Sequence, residues 1–290
     1  MFSWYLYRIL GTKILLVIAF FVSLVTFLTN KDLRGYSLRY FQALYSYTKN
    51  EKFKPSFFNS FKHIHSFAES LVYRIEAFAN TLKSIKVNFV DQTLKQKIFD
   101  QINRKEGILL ICNHIGNIDV IRTFLSDNDY AQPFNISVFL QKDRCAIFNN
   151  FLDRIAVKRE DIKIYPIEKI DITTISQVDD DMKKGGIVLI AGDRISLNNP
   201  DKHIEADFLG EKIYLPQGTF RLAKILNVHT YFISCLQNKK EYDVYVEEQT
   251  DLNEENLYLN FTKFLERMTL TAPYQFYHFY DIFKGGGKCK

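Results

Sequence analysis

Cysteine is scarce in this sequence, and its spacing excludes the common metal motifs. Four cysteines occur in 290 residues, and no two of them form a C-x-x-C pair. Metal sites built on cysteine need closely spaced ligands of that kind. We therefore interpret the four as reduced thiols of a domain that faces the cytoplasm, and we expect no metal site.

A strong excess of charge is also absent. The chain carries 38 Lys and Arg against 33 Asp and Glu, a formal net charge of +5. The basic residues are dispersed, whereas a nucleic-acid-binding protein concentrates them on one face, so we expect no nucleic-acid partner. The mild positive charge is compatible with an anionic membrane surface or with an acidic carrier protein.

A serine-nucleophile motif is missing too. An esterase or lipase of the α/β-hydrolase type would carry G-x-S-x-G, and the nearest pattern, GYSLR at Gly35, lacks the second glycine. Internal repeats and low-complexity linkers are likewise absent from the sequence. With 47% hydrophobic and 24% charged residues, the chain is typical of a globular protein with one main domain.

What the sequence does contain begins with an apolar segment near its N-terminus. Ile14–Leu28 carries no charge and approaches the roughly 17 residues that a helix needs to cross a bilayer. No small-residue cleavage site follows it, so we expect a retained membrane anchor. A slight excess of basic residues after it favours a main domain on the cytoplasmic side of the membrane. A buried core helix and a helix lying in the membrane interface are the alternatives.

The rest of the chain alternates between apolar, strand-like runs and amphipathic helical stretches. The predicted strands are 108–112, 136–140, 162–167, 187–191 and 230–235, with 241–248 as an edge strand. The predicted helices are 66–84, 92–104, 118–126, 145–156, 172–184, 217–226 and 254–269. This order predicts an α/β fold in which a central, mostly parallel sheet is flanked by helices and preceded by the N-terminal membrane-anchor helix. We assign residues 1–30 to the anchor, 31–65 to a juxtamembrane connector and 66–290 to the main domain.

A histidine and an aspartate follow the first of the central predicted strands, in GILLICNHIGNIDVIRTF. His114 ends the strand, Gly116 permits a tight turn, and Asp119 begins the next predicted helix. Parallel strands deliver reactive groups at their carboxyl ends. A carboxylate that holds one imidazole nitrogen leaves the other free to act as a general base on an alcohol. A structural histidine is the alternative, because the H-x4-D spacing alone is a weak signal.

Five blocks of the sequence resemble one known family. ICNHIGNIDVIR is similar to its H-x4-D/E block and FAESLVYRIEAF to the helix before that block. GGIVLIAGDRIS, FLGEKIYLPQGTFRLAKI and APYQFYHFYDIF are similar to its later blocks, in the same order. The family is the lysophospholipid acyltransferase superfamily, and the closest branch is that of the bacterial lipid A biosynthesis acyltransferases. Those enzymes usually carry Glu where this chain has Asp119. This difference affects the assignment of the acceptor lipid more than the assignment of the reaction type.

The resemblance implies an O-acyltransferase bound to the inner membrane, with its catalytic domain on the cytoplasmic face. It would move a fatty acyl group from an acyl thioester, on acyl carrier protein or coenzyme A, to a hydroxyl of a lipid or glycolipid precursor. His114 is then the general base and Asp119 its orienting partner, and no cofactor is required. The candidate oxyanion or substrate-binding residues are Gly116, Asn117 and the amides around them, Arg122, Asp193 and Arg194. An ornithine, polyene or phospholipid-type acceptor, or a non-catalytic lipid-binding member of the fold, are the alternatives to a lipid A-type enzyme.

Several weaker features have both a functional and a structural interpretation. Pro216 and Gly218 bound a turn into a helix whose amino end could receive an anion. Asp193 and Arg194 could instead form a local turn with exposed charges. A basic group could meet an acidic carrier protein or simply face solvent: Lys142, Arg144, Arg154, Lys158 and Arg159. The aromatic C-terminal segment, which includes Phe276 and Tyr277, could lie at the bilayer interface or pack against the sheet.

Overall fold

The chain folds into α-helices and β-strands arranged around one large sheet. A computed structural model describes residues 2–79, 86–118, 135–141, 162–195, 201–238 and 241–284. The helices are α1 (Phe2–Thr29), α2 (Lys31–Thr48), α3 (Phe57–Ala79), α4 (Gln92–Asn103), α5 (Ile172–Met182), α6 (Gln217–Leu226) and α7 (Glu254–Thr271). The strands are β1 (Lys86–Phe89), β2 (Ile108–Gly116), β3 (Ile136–Leu140), β4 (Ile162–Pro166), β5 (Ile187–Ala191), β6 (His203–Phe208), β7 (Glu211–Pro216), β8 (His229–Asn238) and β9 (Glu241–Gln249).

The predicted α/β class and the mostly parallel sheet are confirmed. Seven strands pair in the order β1-β9-β8-β2-β5-β3-β4, and among these described strands the β8–β9 pair is antiparallel while the others are parallel. The prediction of residues 241–248 as an edge strand is wrong, because β9 lies between β8 and β1. The four-residue β1 gave too short a pattern to be recognised. The separate antiparallel pair β6–β7 was not predicted either.

The sheet is covered on both faces, and its central strand β5 is accordingly apolar at every position. In β2, Leu109 and Ile111 belong to one core cluster, whereas Ile108 and Leu110 belong to the other. This alternation follows from the two-residue period of a strand. The first cluster also contains side chains of α6, α7 and the β6–β7 pair, and the second contains side chains of α4. An apolar run without polar alternation is therefore the signature of a strand covered on both sides.

The segment interpreted as a connector, residues 31–65, is helical and contributes to the core. Tyr40 and Phe41 of α2 are fully buried, and the Tyr40 ring stacks on Phe276 at 4.7 Å. On α3, the buried His63 donates from Nε2 to the Phe276 carbonyl at 2.7 Å, which leaves Nδ1 to accept from the Ser37 hydroxyl at 3.0 Å. One histidine thus joins α2, α3 and the C-terminal segment, and residues 31–65 contribute to the core. The division of the chain into anchor, connector and main domain stays a prediction.

The N-terminal apolar helix is present, and most of its surface from Gly11 onwards is exposed. Within α1, the stretch Gly11–Thr29 is long and apolar enough to cross a membrane, and 17% of it is buried. Gly11 has a φ of 71°, which interrupts the helical geometry at that point. The alternative of a buried core helix is therefore wrong, and the exposed apolar surface is consistent with membrane association.

The predicted helices agree with the structure where it describes them. The stretch 217–226 coincides with α6, and 92–104, 172–184 and 254–269 differ from α4, α5 and α7 by one or two residues at an end. The helix predicted at 66–84 begins earlier, at Phe57. Most of the stretch 118–126 and all of 145–156 lie outside the described residues, so these two helices stay predictions.

Candidate active site

His114 lies near the end of β2 and is bound by a buried carboxylate. Its Nδ1 is 2.8 Å from Asp193 Oδ1, and its backbone N–H donates to Asp193 Oδ2 at 2.5 Å. The imidazole is 34% exposed, whereas the Asp193 side chain is 0% exposed. The buried carboxylate of Asp193 therefore contacts both the imidazole and the backbone N–H of His114.

The pairing of β2 with β5 brings these two residues together. The two strands are parallel, and Cys112 of β2 is matched with Ala191 of β5. The same pairing continues beyond Ala191, because the Gly192 N–H donates a hydrogen bond to the Cys112 carbonyl at 2.9 Å. His114 and Asp193 each stand two residues beyond the matched pair, so both side chains emerge at the carboxyl edge of the sheet.

A second histidine faces the other oxygen of the same carboxylate. His278 is 2% exposed, and its Nε2 lies 3.1 Å from Asp193 Oδ2 without the angles of a hydrogen bond. It is positioned by the C-terminal segment, in which Phe276 forms an antiparallel bridge with Ile115 and the imidazole stacks on Phe276 at 4.4 Å. The order around the carboxylate is therefore histidine, aspartate, histidine.

The electrostatics of this group favour an ionised aspartate between two neutral imidazoles. Burial by itself would raise the pKa of Asp193, but the two imidazoles and their contacts hold that pKa well below its usual value. Burial lowers the pKa of His278 to about 4. Burial and the nearby Arg194 charge also lower the pKa of His114, against the opposing effect of Asp193. Since a third of the His114 ring is open to solvent, burial affects it less than His278.

The hydrogen bond to Asp193 selects one tautomer of His114. An ionised carboxylate only accepts, so Nδ1 must carry the proton and Nε2 must carry the lone pair. No described residue forms a hydrogen bond with Nε2. A neutral imidazole with an available Nε2, held from behind by a carboxylate, is the arrangement of a general base.

Acid is expected to destabilise the protein through His63 and His278. Burial lowers the pKa of each to about 4, from an ordinary value of 6.5. The unfolded chain therefore binds more protons between these pH values, and the free energy of unfolding falls as the pH drops from 6.5 to 4, by roughly 3 kcal/mol per histidine. The difference in the free energy of unfolding is measured by urea unfolding, followed by circular dichroism, at pH 7 and pH 4.5.

In His63→Gln, the free energy of unfolding should depend less steeply on pH, because the contribution of one of the two histidines is lost. The exposed His229, 45% accessible, provides the control, and His229→Ala should retain the loss of stability in acid that His63 and His278 cause. Equal free energies of unfolding at the two pH values would contradict the expectation.

The comparison with known families supports the interpretation of this site. Residues 65–285 match the family model described as bacterial lipid A biosynthesis acyltransferase. The chain belongs to this family. It is therefore an acyltransferase, and the family in general uses an acyl thioester donor and a lipid acceptor. A search of curated proteins finds no match to the sequence.

The matched range of this acyltransferase contains the whole histidine–aspartate–histidine group and all but the first residues of α3. It leaves out α1 and α2, so the family match does not describe how the N-terminal helices are used. The predicted helix of the FAESLVYRIEAF block falls within α3, and its Arg74 is close enough to His114 for its charge to lower the pKa of that histidine.

Two guanidinium groups make the surroundings of His114 electropositive. Arg194 donates from Nη2 to the Tyr277 carbonyl at 2.7 Å, and its Nε is buried without a hydrogen-bond partner. No carboxylate within the described ranges forms an ion pair with it. Together with Arg74, it gives the acyltransferase a positive region suited to an oxyanion or a phosphate. The alternative of an Asp193–Arg194 turn with exposed charges is wrong, because Asp193 is fully buried.

The amides around Gly116 have partners inside the protein. The Ile115 N–H donates to Asn113 Oδ1 at 3.1 Å, and the Asn117 N–H donates to the Cys235 carbonyl at 2.8 Å. The Asn117 side chain is fully buried, with Nδ2 3.5 Å from the Tyr242 hydroxyl and Oδ1 without a hydrogen-bond partner among the described residues. These groups hold the end of β2 in place, and in this arrangement the two amides are not free to bind an oxyanion.

Gly116 is required by the backbone at the end of β2. Its φ is 71°, and a Cβ atom there would lie 2.1 Å from the Cys235 carbonyl oxygen. Gly116→Ala is therefore expected to lower the free energy of unfolding by about 3 kcal/mol or more, as strained and overpacked substitutions do. Gly218 is the matched control, since nothing lies within 4 Å of a Cβ built on it, and Gly218→Ala in α6 should be neutral or slightly stabilising. Equal losses measured by urea unfolding would contradict this explanation.

Several other predicted site residues stand apart from this group or outside the described residues. Pro216 ends β7 and caps α6, and the Thr219 hydroxyl of α6 donates to the Ala191 carbonyl at 2.8 Å. This contact brings the start of α6, with Gly218, to the end of β5, and anion binding there stays a prediction. The residues outside the described part are Asp119, Arg122, Lys142, Arg144, Arg154, Lys158 and Arg159. Phe276 and Tyr277 are buried, so an interfacial position is wrong for these two residues. Phe276 belongs to the core cluster on one face of the sheet, whereas the Tyr277 ring packs against Phe67 of α3.

The sequence did not reveal the partners of His114 within this acyltransferase. Asp193 was a candidate for substrate binding, and its position after a strand predicted to be in the same sheet was the available signal. His278 lies in an aromatic segment with no spacing that links it to His114. Donor atoms of His114, Asp193 and His278 all lie within 4.8 Å of one another, a distance at which they could hold a metal ion. The expectation that no metal is used stays a prediction.

Proposed function

We propose that this acyltransferase moves a fatty acyl group from a thioester of acyl carrier protein or coenzyme A to a hydroxyl of a lipid or glycolipid precursor. The supporting observation is the imidazole of His114, held at Nδ1 by the buried carboxylate of Asp193 at 2.8 Å. A base of this kind has no use in passive lipid binding. A lipid A-type acceptor is the preferred choice because the family match is to lipid A enzymes.

The reaction needs two proton transfers, one from the acceptor hydroxyl to His114 and one from His114 to the leaving thiolate. Nε2 of His114 takes the proton from the acceptor hydroxyl while that oxygen attacks the thioester carbonyl carbon. The resulting oxyanion lies in the positive region of Arg194 and Arg74, which stabilises it electrostatically. The carbon–sulfur bond then breaks, and the leaving thiolate recovers the proton from the imidazolium. The products are the lipid ester and a free thiol, and the direct attack forms no acyl-enzyme.

In this mechanism Asp193 takes the orienting role that the H-x4-D pattern predicts for Asp119. The carboxylate on Nδ1 fixes the tautomer and stabilises the imidazolium that forms during the reaction. Because Nδ1 makes this bond with Asp193, Asp119 is not needed for it. We propose that His278 is a positioning residue, which packs against Oδ2 of Asp193 and keeps Oδ1 turned towards His114.

The function is tested by acyl transfer with purified full-length protein in detergent. The protein is supplied with acyl carrier protein or coenzyme A carrying a saturated acyl chain, together with a bacterial lipid extract. Mass spectrometry should find a lipid whose mass has increased by one ester-linked acyl group, and a thiol reagent should find an equal amount of released thiol. Thiol release without an acylated lipid would indicate a thioesterase. No turnover with either donor would favour the non-catalytic lipid-binding alternative.

A further inference from the structure

Helix α1 packs side by side with α3 along its length. Leu15, Ala19 and Val72 form one buried cluster. Further along, the Ser23 hydroxyl lies 3.1 Å from His65 Nδ1. Near the end of α1, the ring of Phe27 meets those of Phe57 and Phe61 at 6.2 and 5.6 Å. Residue numbers rise on one helix as they fall on the other, so the two helices are antiparallel partners.

The opposite face of α1 is a continuous exposed apolar stripe. Its members recur at helical spacing and are Ile14, Val17, Ile18, Phe21, Val22, Val25 and Leu28, with exposures from 37% to 63%. The stripe contains no charged residue and is bracketed by the exposed Lys13 and Lys31. At its C-terminal end it continues onto α3, where Phe57 and Phe58 are 66% and 73% exposed. An apolar surface with cations at its borders matches the interface of an anionic phospholipid bilayer.

The partner helix makes an upright, membrane-crossing α1 unfavourable. Between the Phe27–Phe57 contact and the Leu15–Val72 cluster, α3 carries the exposed Lys62 and the 41% exposed Glu69. An α1 that crossed the bilayer would carry both charges to hydrocarbon depth, at a cost of several kcal/mol. The bend at Gly11 also limits the straight stretch to 19 residues, about 28 Å, slightly less than the ~30 Å hydrocarbon core.

We propose that α1 lies along the membrane surface with its apolar stripe immersed in one leaflet of an anionic phospholipid bilayer. Phe57 and Phe58, at the start of α3, insert beside it, and the rest of α3 stays on the protein side of the interface. Tyr277 links α3 to the active site, because its hydroxyl lies 3.1 Å from the Ser66 hydroxyl of α3 and its carbonyl accepts from Arg194 at 2.7 Å. The active site is therefore held close to the plane of the membrane. The consequence that a lipid acceptor can reach His114 without leaving the leaflet rests on the proposed function, whereas the orientation of α1 does not.

The orientation is tested by measuring the depth of single tryptophans. Trp4 is the only tryptophan of the chain, so Trp4→Phe gives a background into which Ile14→Trp, Phe21→Trp or Leu28→Trp is placed. Full-length protein is reconstituted in vesicles of phosphatidylglycerol and phosphatidylcholine that carry nitroxides at a shallow or a deep position. A helix in the interface should give the same shallow-to-deep quenching ratio at all three positions, within about twofold. A crossing helix should give deep quenching at Phe21→Trp and shallow quenching at the other two, and would overturn the proposal.

The controls separate membrane contact from misfolding. Ile225→Trp on α6 is similarly exposed, at 53%, but lies outside the stripe, and it should be quenched by neither nitroxide. Val22→Trp replaces Phe21→Trp if circular dichroism shows that the latter has lost helix. In a second measurement, Phe21→Glu should weaken vesicle binding at least tenfold, whereas Ile225→Glu should not change it. Equal effects of the two glutamates, or no quenching along the stripe, would also overturn the proposal. None of these readouts uses turnover, so a failure of the proposed function would leave them interpretable.

Discussion

Replacing His114 with alanine is expected to lower the rate of acyl transfer on the order of 10²- to 10⁴-fold, the range that general-base catalysis contributes. The variant keeps the positive region of Arg194 and Arg74, so the loss should appear in kcat while KM for donor and acceptor changes little. The imidazole is a third exposed, so its removal leaves no large cavity and the variant should fold. Product is measured as acylated lipid by mass spectrometry at saturating donor.

His229→Ala is the matched control for this experiment. It removes another imidazole of the same chain, at the amino end of β8 and next to Glu106, far along the sheet from the carboxyl edge. It should retain full activity. If His114→Ala transfers acyl groups as fast as the unaltered protein, His114 is not the base and the proposed mechanism fails, whatever the identity of the lipid.

Asp193→Asn is expected to lower kcat by roughly 10²- to 10⁴-fold, the second large loss of activity. The reason is that His114 would then carry its proton on Nε2 instead of Nδ1. The carboxylate accepts from both the Nδ1–H and the backbone N–H of His114. An amide offers one acceptor oxygen and one donor NH₂, so the NH₂ group favours the tautomer with its proton on Nε2. That tautomer has no lone pair facing the acceptor hydroxyl.

The same variant has a distinct effect on pH dependence. The Asp193 charge raises the pKa of His114, so its removal should lower that pKa further. Because the base is active when neutral, the acid limb of the residual activity should move to lower pH in Asp193→Asn. A purely structural role for Asp193 would reduce the amount of active enzyme without moving this limb.

Asp119→Asn completes the comparison between the two candidate partners. If Asp193 orients the base, Asp119→Asn should lose much less activity than Asp193→Asn. The reverse order would restore the H-x4-D pair to the orienting role and assign Asp193 to the structure of the strand end. Circular dichroism of each variant checks that both losses are compared in folded protein.

The local elements of the fold were predictable because each has a short-range signal. The apolar, β-branched runs of β2, β3 and β5 and the amphipathic period of α6 need only neighbouring residues to be recognised. Errors arose where the signal was short or ambiguous, as for the four-residue β1. Residues 31–65 looked like a connector because their aromatic residues suggested a membrane surface, whereas Tyr40 and Phe41 are buried against the C-terminal segment.

The sequence by itself predicted an imidazole at the carboxyl end of a central strand and a resemblance to the lipid A acyltransferases. Both predictions were possible because each depends on short stretches of contiguous residues. The carboxylate that holds this imidazole becomes known only when the strands are paired. Asp193 is 79 residues away from His114, and it arrives there through the register of β2 with β5. His278 and the side of α1 that remains exposed were likewise decided by packing between distant segments. Such contacts depend on the summed burial and pairing of the whole chain, and no local spacing encodes them.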